Sequence, residues 1–293
     1  MTTHDVFNQA PPRVDVTEFG TNIALVEAVS LYDADWALGD LARVGRYVGT
    51  GEFQHDAERA NRIEPELHTH DRFGNRIDEV EYDSSYHRII AAAVAEGAHT
   101  SAWAHPRPGA NVARAATFML FAQIEPGHAC PISMTHSAVA ALATNPELAG
   151  KWMPRLLSRD YDGALVPAAS TGLAGTLSPA LALAPAKPSA LFGMAMTEKQ
   201  GGSDVRANTT RAVPAGDHAA PDNYLLTGHK WFCSAPMSDG FLVLAQAPTG
   251  LSCFLVPRVL DDGTRNVLRI QRLKDKLGNR SNASSEIEFD GTV

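Results

Sequence analysis

The sequence has few cysteines and no excess of positive charge. Cys130, Cys233 and Cys253 are its three cysteines, and no two of them have CxxC or CxxxC spacing. This number and spacing exclude a disulfide framework or a cysteine metal knuckle and predict a reducing, cytoplasmic setting. With 25 Lys and Arg against 33 Asp and Glu, the formal net charge of -8 disfavours binding of DNA or an anionic membrane through the whole surface.

The N-terminus and the longest uncharged stretch give no signal for membrane insertion. The first five residues, Met-Thr-Thr-His-Asp, have neither the basic start nor the apolar run of a secretory signal. Residues 163–186 carry no charge, but their prolines and glycines are typical of a linker and unfavourable in a membrane helix. We therefore predict a protein with no membrane partner.

Hydrophobic periodicity divides the chain into two parts. Residues 86–94 and 112–120 repeat apolar side chains at helical spacing, and residues 132–144 are rich in alanine, so this half is predicted as helices packed on helices. After residue 190 the pattern changes to short apolar runs between turn residues, which predicts an antiparallel barrel or sandwich. The predicted runs are 191–196, 224–227, 231–233, 241–245, 252–256, 267–273 and 287–289.

These patterns predict an α+β protein with two domains. The helical domain is predicted over residues 1–169, a linker over 170–189 and the β-domain over 190–293. The sequence ends just after a predicted strand, which suggests the interruption of a longer protein.

The most unusual local sequence is a predicted strand that runs into a glycine-rich turn, residues 194–204, with the letters MAMTEKQGGSD. Its glycines allow a backbone to approach a ligand closely, and its N–H groups and Ser203 hydroxyl can donate to a pyrophosphate. A polar hairpin turn is the alternative interpretation of the same residues. The sequence matches neither a Walker loop nor a GxGxxG fingerprint.

Three ordered motifs resemble the acyl-CoA dehydrogenase family, and their residues are similar to those of its AidB branch. They are MTEKQGGSDV at 196–205, GHKWFCS at 228–234 and LKDKLGNRSNAS at 273–284. Residues 6–9 and 130–135 also resemble the branch. The resemblance implies the family's helical N-terminal domain and β-domain without its C-terminal helical domain.

The resemblance also implies FAD as the cofactor and a set of residues that bind it. Met194, Ala195, Met196 and Thr197 would follow the pyrimidine edge of the flavin, and Ser203 would reach the pyrophosphate, with Gly202 allowing close approach.

In the second motif the resemblance places Phe232 on the isoalloxazine ring and the Ser234 hydroxyl opposite flavin N5, with Cys233 between them in the predicted site. The wider family has Trp and Thr at the first and last of these positions. An aromatic beside a hydroxyl donor suits a flat ring with one polar edge. The alternative is that Trp231 and Phe232 are ordinary core aromatics.

The implied reaction is α,β-dehydrogenation of an acyl-CoA thioester, which needs a carboxylate base. In the family that base, the helices that form a homotetramer and the basic residues associated with DNA belong to the C-terminal region. We therefore predict no catalytic residue here, and Glu198 is interpreted as a solvated turn carboxylate. A DNA-associated alkylation-stress flavoprotein with little turnover and an inactive fragment are the alternative functions.

Two further clusters are interpreted as surface features. Glu66, His68, His70 and Asp71 are metal-capable but have no second cluster to complete a site, so a polar loop is predicted. Residues 265–280 carry six basic side chains against Asp275 and could attract phosphates of CoA, FAD or DNA; alternating charges on an exposed strand are the favoured interpretation.

Overall fold

The first part of the chain is mainly helical in the computed structural model, which describes residues 3–163, 187–216 and 222–293. Asn22, Thr50, Asp83 and Asn145 cap four of the helices by accepting hydrogen bonds from backbone N–H groups of the first turn. The helices are α1 Ile23–Leu31, α2 Leu38–Val48, α3 Gly51–Arg62, α4 Ser84–Ala95, α5 Ser101–Ala104, α6 Ala110–Ala122, α7 Ala129–Leu142 and α8 Pro146–Leu156.

The predicted helical periodicity is confirmed in α4, α6 and α7. Ile89, Ile90, Leu120, Phe121 and Ile132 are completely buried in one cluster between these helices. Their spacing places them on the inner face of each helix, so burial of that face stabilises the bundle.

A β-hairpin interrupts the helices, and the prediction of helices alone was wrong at this point. Strands β1 Glu66–His70 and β2 Arg76–Glu81 are antiparallel, and Asp71 caps the turn by accepting from the N–H groups of Phe73 and Asn75. The segment 66–70, predicted as a polar loop, is therefore a strand. Its charged residues suit a strand whose side chains are only partly buried.

The second part of the chain forms a seven-stranded sheet. The order of neighbouring strands is β3-β6-β4-β5-β9-β8, with β7 paired to β6 and a further pairing of β3 with β5. These pairings close a ring through β3, β6, β4 and β5. The strands are β3 Phe192–Ala195, β4 Arg211–Pro214, β5 Tyr224–Ser234, β6 Gly240–Ala247, β7 Gly250–Pro257, β8 Arg269–Leu273 and β9 Ser284–Thr292.

The sheet agrees with the predicted β-domain but differs from it in three details. β3 runs parallel to β6, and β4 joins β6 in parallel through Arg211 and Gln246, so the sheet is mixed. β4 has no counterpart among the predicted runs. Gly228 continues β5 where a break was predicted, because its φ of +148° and close packing on Thr210 suit a glycine within the strand.

The helices contact the β-part at Phe192 and at Ser281. The Thr135 hydroxyl of α7 accepts from the N–H of Phe192 at 2.9 Å, and the Trp152 and Phe192 rings meet edge to face with centroids 5.2 Å apart. The buried Glu125 carboxylate accepts from the Ser281 hydroxyl at 2.6 Å. Burial alone would raise the pKa of Glu125, but the hydrogen bonds from His128 and Ser281 outweigh it and lower the pKa to about 2.

The predicted linker lies mostly outside the described residues, so its boundaries and those of the two domains stay predictions. Lys187 and Ser189, at its described end, are buried, and Lys187 Nζ lies 2.9 Å from Asp239 Oδ1. In the described ranges, every helix is too short or too polar to cross a membrane.

Candidate flavin site

The predicted site residues lie on two paired strands and in the turn that follows the first of them. Met194 is opposite Ser234 and Ala195 is opposite Cys233 in the antiparallel register of β3 and β5. The pairing extends beyond β3, because the Trp231 N–H donates to the Thr197 carbonyl at 2.8 Å. Residues 194–197 and 232–234, which are 35 or more positions apart in sequence, therefore form one continuous surface.

The side chains of Ala195 and Cys233 point away from that surface. Both are buried in the core of the sheet, and burial raises the pKa of the Cys233 thiol to about 12. These two residues can offer only backbone groups to a ligand.

A buried ion pair holds the turn after β3 in place. Glu198 Oε1 lies 2.9 Å from Lys230 Nζ, and both side chains are completely buried. The carboxylate also accepts from the N–H groups of Thr209 at 2.7 Å and Thr210 at 2.9 Å. Burial opposes ionisation of Glu198, but these hydrogen bonds outweigh it and hold its pKa well below the usual value.

The interpretation of Glu198 as a solvated turn carboxylate was therefore wrong. Its short polar neighbours suggest a surface turn, but four donors from distant positions accommodate the charge in the interior. An ionised carboxylate with these partners is suited to holding the turn and unsuited to abstracting a proton.

The glycine-rich part of the turn is open to solvent. Gly202 and Ser203 are exposed, and Gly202 packs so closely on Thr197 that a Cβ would lie 2.6 Å from the Thr197 hydroxyl oxygen. Any larger residue at 202 would displace this contact. The structure thus brings Thr197 and Gly202 together and leaves the Ser203 hydroxyl at the surface beside them.

A β-bulge presents the two aromatic residues of the second motif. Between Lys230 and Cys233, β5 has one residue more than β9, and this extra residue breaks the alternation of side chains at Trp231 and Phe232. Phe232 is 44% exposed. Lys274 Nζ lies 3.2 Å from the centroid of the Trp231 ring and 4.6 Å from that of Phe232. The core interpretation therefore fails for Phe232, which offers an aromatic face at the surface.

The hydroxyl predicted to face the flavin lies where the sheet meets α7. Ser234 Oγ is 3.1 Å from Ser284 Oγ of β9. Cys130, at the start of α7, forms a hydrogen bond with Ser234, although burial is the larger effect and raises the pKa of the Cys130 thiol. The position of Ser234 is therefore set by three segments of the chain.

Sequence reasoning missed three residues that shape this surface: Lys274, Ser284 and Lys230. Lys274 and Ser284 belong to the third motif, so their place in a segment that resembles the family was the available signal. Lys230 lies on β5, two residues before Phe232. An isolated lysine inside a largely apolar strand is the signal that it has a buried partner.

The metal-capable histidines of the hairpin have separate hydrogen-bond partners. His68 Nε2 lies 3.2 Å from Glu81 Oε2, whereas His70 Nδ1 lies 3.1 Å from Thr69 Oγ1. Within the described ranges no three His, Cys, Asp or Glu side chains are arranged to hold a metal ion.

Acidic partners neutralise most of the basic residues between 265 and 280. Arg265 pairs with Glu79, Arg269 with Asp290 and Arg280 with Glu64. Arg272 and Lys274 share Glu286. Five of the six basic residues of this segment therefore have acidic partners, and the segment offers little free positive charge.

Comparison with solved structures defines the class of the fold. The protein described as Bd2924, in its apo form, superposes with a TM-score of 0.82 at 28% identity, over 98% of this chain and 55% of that chain. The Caenorhabditis elegans protein ACDH-11, solved in complex with C11-CoA, superposes with a TM-score of 0.78 at 24% identity, over 100% of this chain and 48% of that one. The fold is that of the first two domains of acyl-CoA dehydrogenases.

Sequence comparison identifies the branch. The model of the adaptive response protein AidB N-terminal domain matches residues 8–163, and that of the acyl-CoA dehydrogenase middle domain matches residues 193–292. The putative acyl-CoA dehydrogenase AidB of Escherichia coli is 45% identical over 293 residues, which cover 99% of this chain and 50% of that protein. The chain belongs to the AidB branch of the acyl-CoA dehydrogenase family, and it spans about half the length of this relative.

Proposed function

We propose that the chain binds FAD on the surface formed by β3, β5 and the turn at residues 196–204, as part of a flavoprotein of the acyl-CoA dehydrogenase type. The observation that carries the proposal is the exposed Phe232 ring beside the Ser234 hydroxyl, on a strand paired with Met194. An exposed aromatic next to a hydroxyl suits a planar ring with a polar edge.

The residues present fit the cofactor. Residues 194–197 border the surface, and Gly202 has no side chain that would clash with Thr197 or shield the turn backbone from a ligand. The Met196 carbonyl already accepts from Asn208 at 2.8 Å and the Thr197 carbonyl from Trp231 at 2.8 Å, so the N–H groups of these two residues and the Thr197 hydroxyl are the candidate contacts to the pyrimidine. The exposed Ser203 hydroxyl is the candidate donor to the pyrophosphate.

When bound, FAD supplies a two-electron acceptor for dehydrogenation of an acyl-CoA thioester. In this proposal Phe232 stacks on the ring and Ser234 orients its central edge. The buried Glu198 and Lys230 hold the turn and take no part in proton transfer. We assign no catalytic base, because the resemblance places it in a domain beyond the half of the Escherichia coli relative that this chain matches.

Known structures of the same fold support the cofactor and the substrate class. A glutaryl-CoA dehydrogenase from Mycobacterium smegmatis was solved with FADH2 and superposes with a TM-score of 0.56 at 18% identity, over 90% of this chain and 56% of that one. The complex of ACDH-11 with C11-CoA supports an acyl-CoA as the ligand class. A homotetramer, a cytoplasmic location and an association with DNA stay predictions.

Retention of FAD by the purified chain tests the proposal. The chain is incubated with FAD, free dye is removed, and the visible absorbance is measured for the wild type and for the double variant Ser203→Ala, Ser234→Ala. We expect a flavin spectrum in the wild type and at least about tenfold weaker retention in the double variant, because two hydrogen bonds to the cofactor are lost.

The matched control is Ser252→Ala, since among the described residues the Ser252 hydroxyl bonds only to the Gly250 carbonyl on β7. It should retain FAD as the wild type does. A colourless wild-type chain with a cooperative thermal transition would refute FAD binding by this chain, and equal retention in the double variant would refute the placement of the cofactor.

A further inference from the structure

A large cavity lies within the helical part, away from the proposed flavin site. It has a volume of about 620 Å³ and opens between α2, α5 and α6, beside the loop that joins α5 to α6. No residue of β3, β5 or the turn at 196–204 lines it. Its volume is in the range of small-molecule sites. We call it the arginine cavity, after the lining residues Arg43, Arg107, Arg114 and Arg159.

Three of these arginines have no acidic partner. Arg43 is neutralised by Glu96, with Nη2 2.7 Å from Glu96 Oε2. In the described ranges, Arg107, Arg114 and Arg159 form no salt bridge; Arg114 Nη1 donates only to the Ala98 carbonyl at 3.1 Å. Burial without a carboxylate nearby lowers the pKa of the Arg114 guanidinium.

This positive charge is exceptional for its part of the chain. Residues 1–189 contain 14 basic and 22 acidic residues. The lining of the arginine cavity nevertheless has four arginines against two carboxylates, Asp40 and Glu96. A concentration of unpaired guanidinium groups in a concave site raises the local potential and favours an anionic ligand.

The loop at the mouth of the cavity is held rigidly. The Trp36 indole N–H donates to the Pro108 carbonyl at 3.1 Å. Gly109 has φ +73° and packs against the backbone of Asp33, where a Cβ would lie 2.2 Å from the carbonyl oxygen. Ordering this loop before binding reduces the entropy cost of capturing a ligand.

The same loop orients Arg107. Its guanidinium carbon lies 3.2 Å from the centroid of the Trp36 ring. Stacking uses the face of the guanidinium and leaves its N–H edge available, and this edge matches two oxygens of a phosphate.

We propose that the arginine cavity binds the diphosphate group of a phosphorylated small molecule through Arg107, Arg114 and Arg159. A diphosphate carries enough negative charge to match three guanidinium groups, whereas one carboxylate would leave two of them without an anionic partner. The proposal is independent of FAD binding.

Calorimetric titration with inorganic pyrophosphate at low ionic strength tests this site. The wild type is compared with Arg159→Gln and with the double variant Arg107→Gln, Arg159→Gln. We expect the double variant to bind at least about tenfold more weakly, because two charge-assisted contacts are lost. Arg159→Gln alone should weaken binding several-fold, and it removes no hydrogen bond of the described residues, so it should fold normally.

The matched control is Arg46→Gln, since Arg46 is exposed on α2 but does not line the cavity. Its affinity should equal that of the wild type, and affinity in the wild type should fall with added salt. Absence of pyrophosphate binding to the wild type, or equal affinity in the wild type and both cavity variants, would overturn the proposal.

The flavin-site variant separates the two proposals. Ser203→Ala, Ser234→Ala should bind pyrophosphate as tightly as the wild type, and the cavity variants should retain FAD as the wild type does. Loss of pyrophosphate binding in the flavin-site variant alone would place the anion at the β3–β5 surface and refute the arginine cavity.

Discussion

At the scale of single residues, Glu198 and Lys230 are the clearest case of charge used for structure. Their ion pair is completely buried beneath the turn that carries Gly202 and Ser203. A buried pair contributes little net stability compared with apolar residues, but the loss of one partner leaves the other charged and desolvated. The pair therefore makes the geometry of the turn depend on both residues.

We predict that Lys230→Met destabilises the protein by about 3–5 kcal/mol, because Glu198 loses its buried cation. The double variant Lys230→Met, Glu198→Gln should recover part of this loss, since no charge then remains in the interior. Unfolding in urea measures both free energies.

Arg206→Gln is the control in the same turn. Arg206 pairs with Asp204 at the surface, with side chains 85% and 55% exposed, and its removal should change stability by less than about 1 kcal/mol. Equal losses in the single and double variants at 230 and 198 would contradict a role for the uncompensated charge.

The strands of the proposed flavin surface were assigned from the motifs, and their mutual register was not. Nothing local in the sequence states that Met194 lies opposite Ser234, because that pairing joins segments 40 positions apart. The burial of Glu198 was mispredicted for the same reason: its partners Thr209, Thr210 and Lys230 come together only when the strands pair.

At the scale of secondary-structure elements, the hairpin β1–β2 connects the two parts of the chain. Asp78 accepts from the Ile270 N–H of β8 at 3.1 Å, and Arg76 Nη2 donates to the Ile270 carbonyl at 3.0 Å. Asp78 also has φ +45°, a conformation that aspartate and asparagine tolerate better than other non-glycine residues. The hairpin is thus attached to the edge of the sheet by specific backbone contacts.

We predict that Asp78→Ala weakens this attachment by about 1–3 kcal/mol, because the Ile270 N–H loses its acceptor. Asp78→Asn should weaken the attachment less, since asparagine keeps an acceptor and tolerates the positive φ. Hydrogen exchange should accelerate at the amides of 66–81 and at Ile270 in the alanine variant.

Glu81→Ala is the comparison for this test. Glu81 is 76% exposed and pairs with His68 at the surface of the same hairpin, so its removal should leave exchange in the hairpin nearly unchanged. Faster exchange of equal size in Glu81→Ala would show that the contact of Asp78 with β8 is not what holds the hairpin.

Periodicity predicted long elements well and the hairpin poorly. The helices α4, α6 and α7 repeat large apolar residues over several turns, which is the strongest signal that a single sequence contains. Strands β1 and β2 are short and charged, and they are stabilised by contacts with β8 almost 200 positions away, so their residues show little strand pattern.

At the scale of the whole molecule, the helical part and the sheet meet around Glu125, Gly127 and Ser281. The Ser281 hydroxyl donates to Glu125 in a buried contact. A Cβ at Gly127 would lie 1.8 Å from that hydroxyl oxygen. The absence of a side chain at 127 is therefore a condition for the close approach of the two parts.

We predict that Gly127→Ala destabilises the protein by about 1–3 kcal/mol, because the added methyl group forces Ser281 away from Glu125 and overpacks the contact. The double variant Gly127→Ala, Ser281→Gly should lose less stability than the sum of the losses in the two single variants, since the clash is removed. Urea unfolding measures the three variants.

Gly150→Ala is a control in which the change in stability should have the opposite sign. Gly150 lies inside α8 with no atom within 4 Å of its added Cβ, so alanine there should stabilise the protein by up to about 1 kcal/mol through helix propensity. A neutral Gly127→Ala would contradict the tight contact between the helices and the sheet.

The sequence by itself determined the division into a helical part and a β-part, the family and the strands that form the proposed flavin surface, because periodicity and motifs are properties of neighbouring residues. Tertiary structure alone decided the parallel pairing of β3 with β6, the burial of Glu198 with Lys230 and the arginine cavity. These features depend on contacts between distant segments, and such contacts leave no pattern in the local sequence.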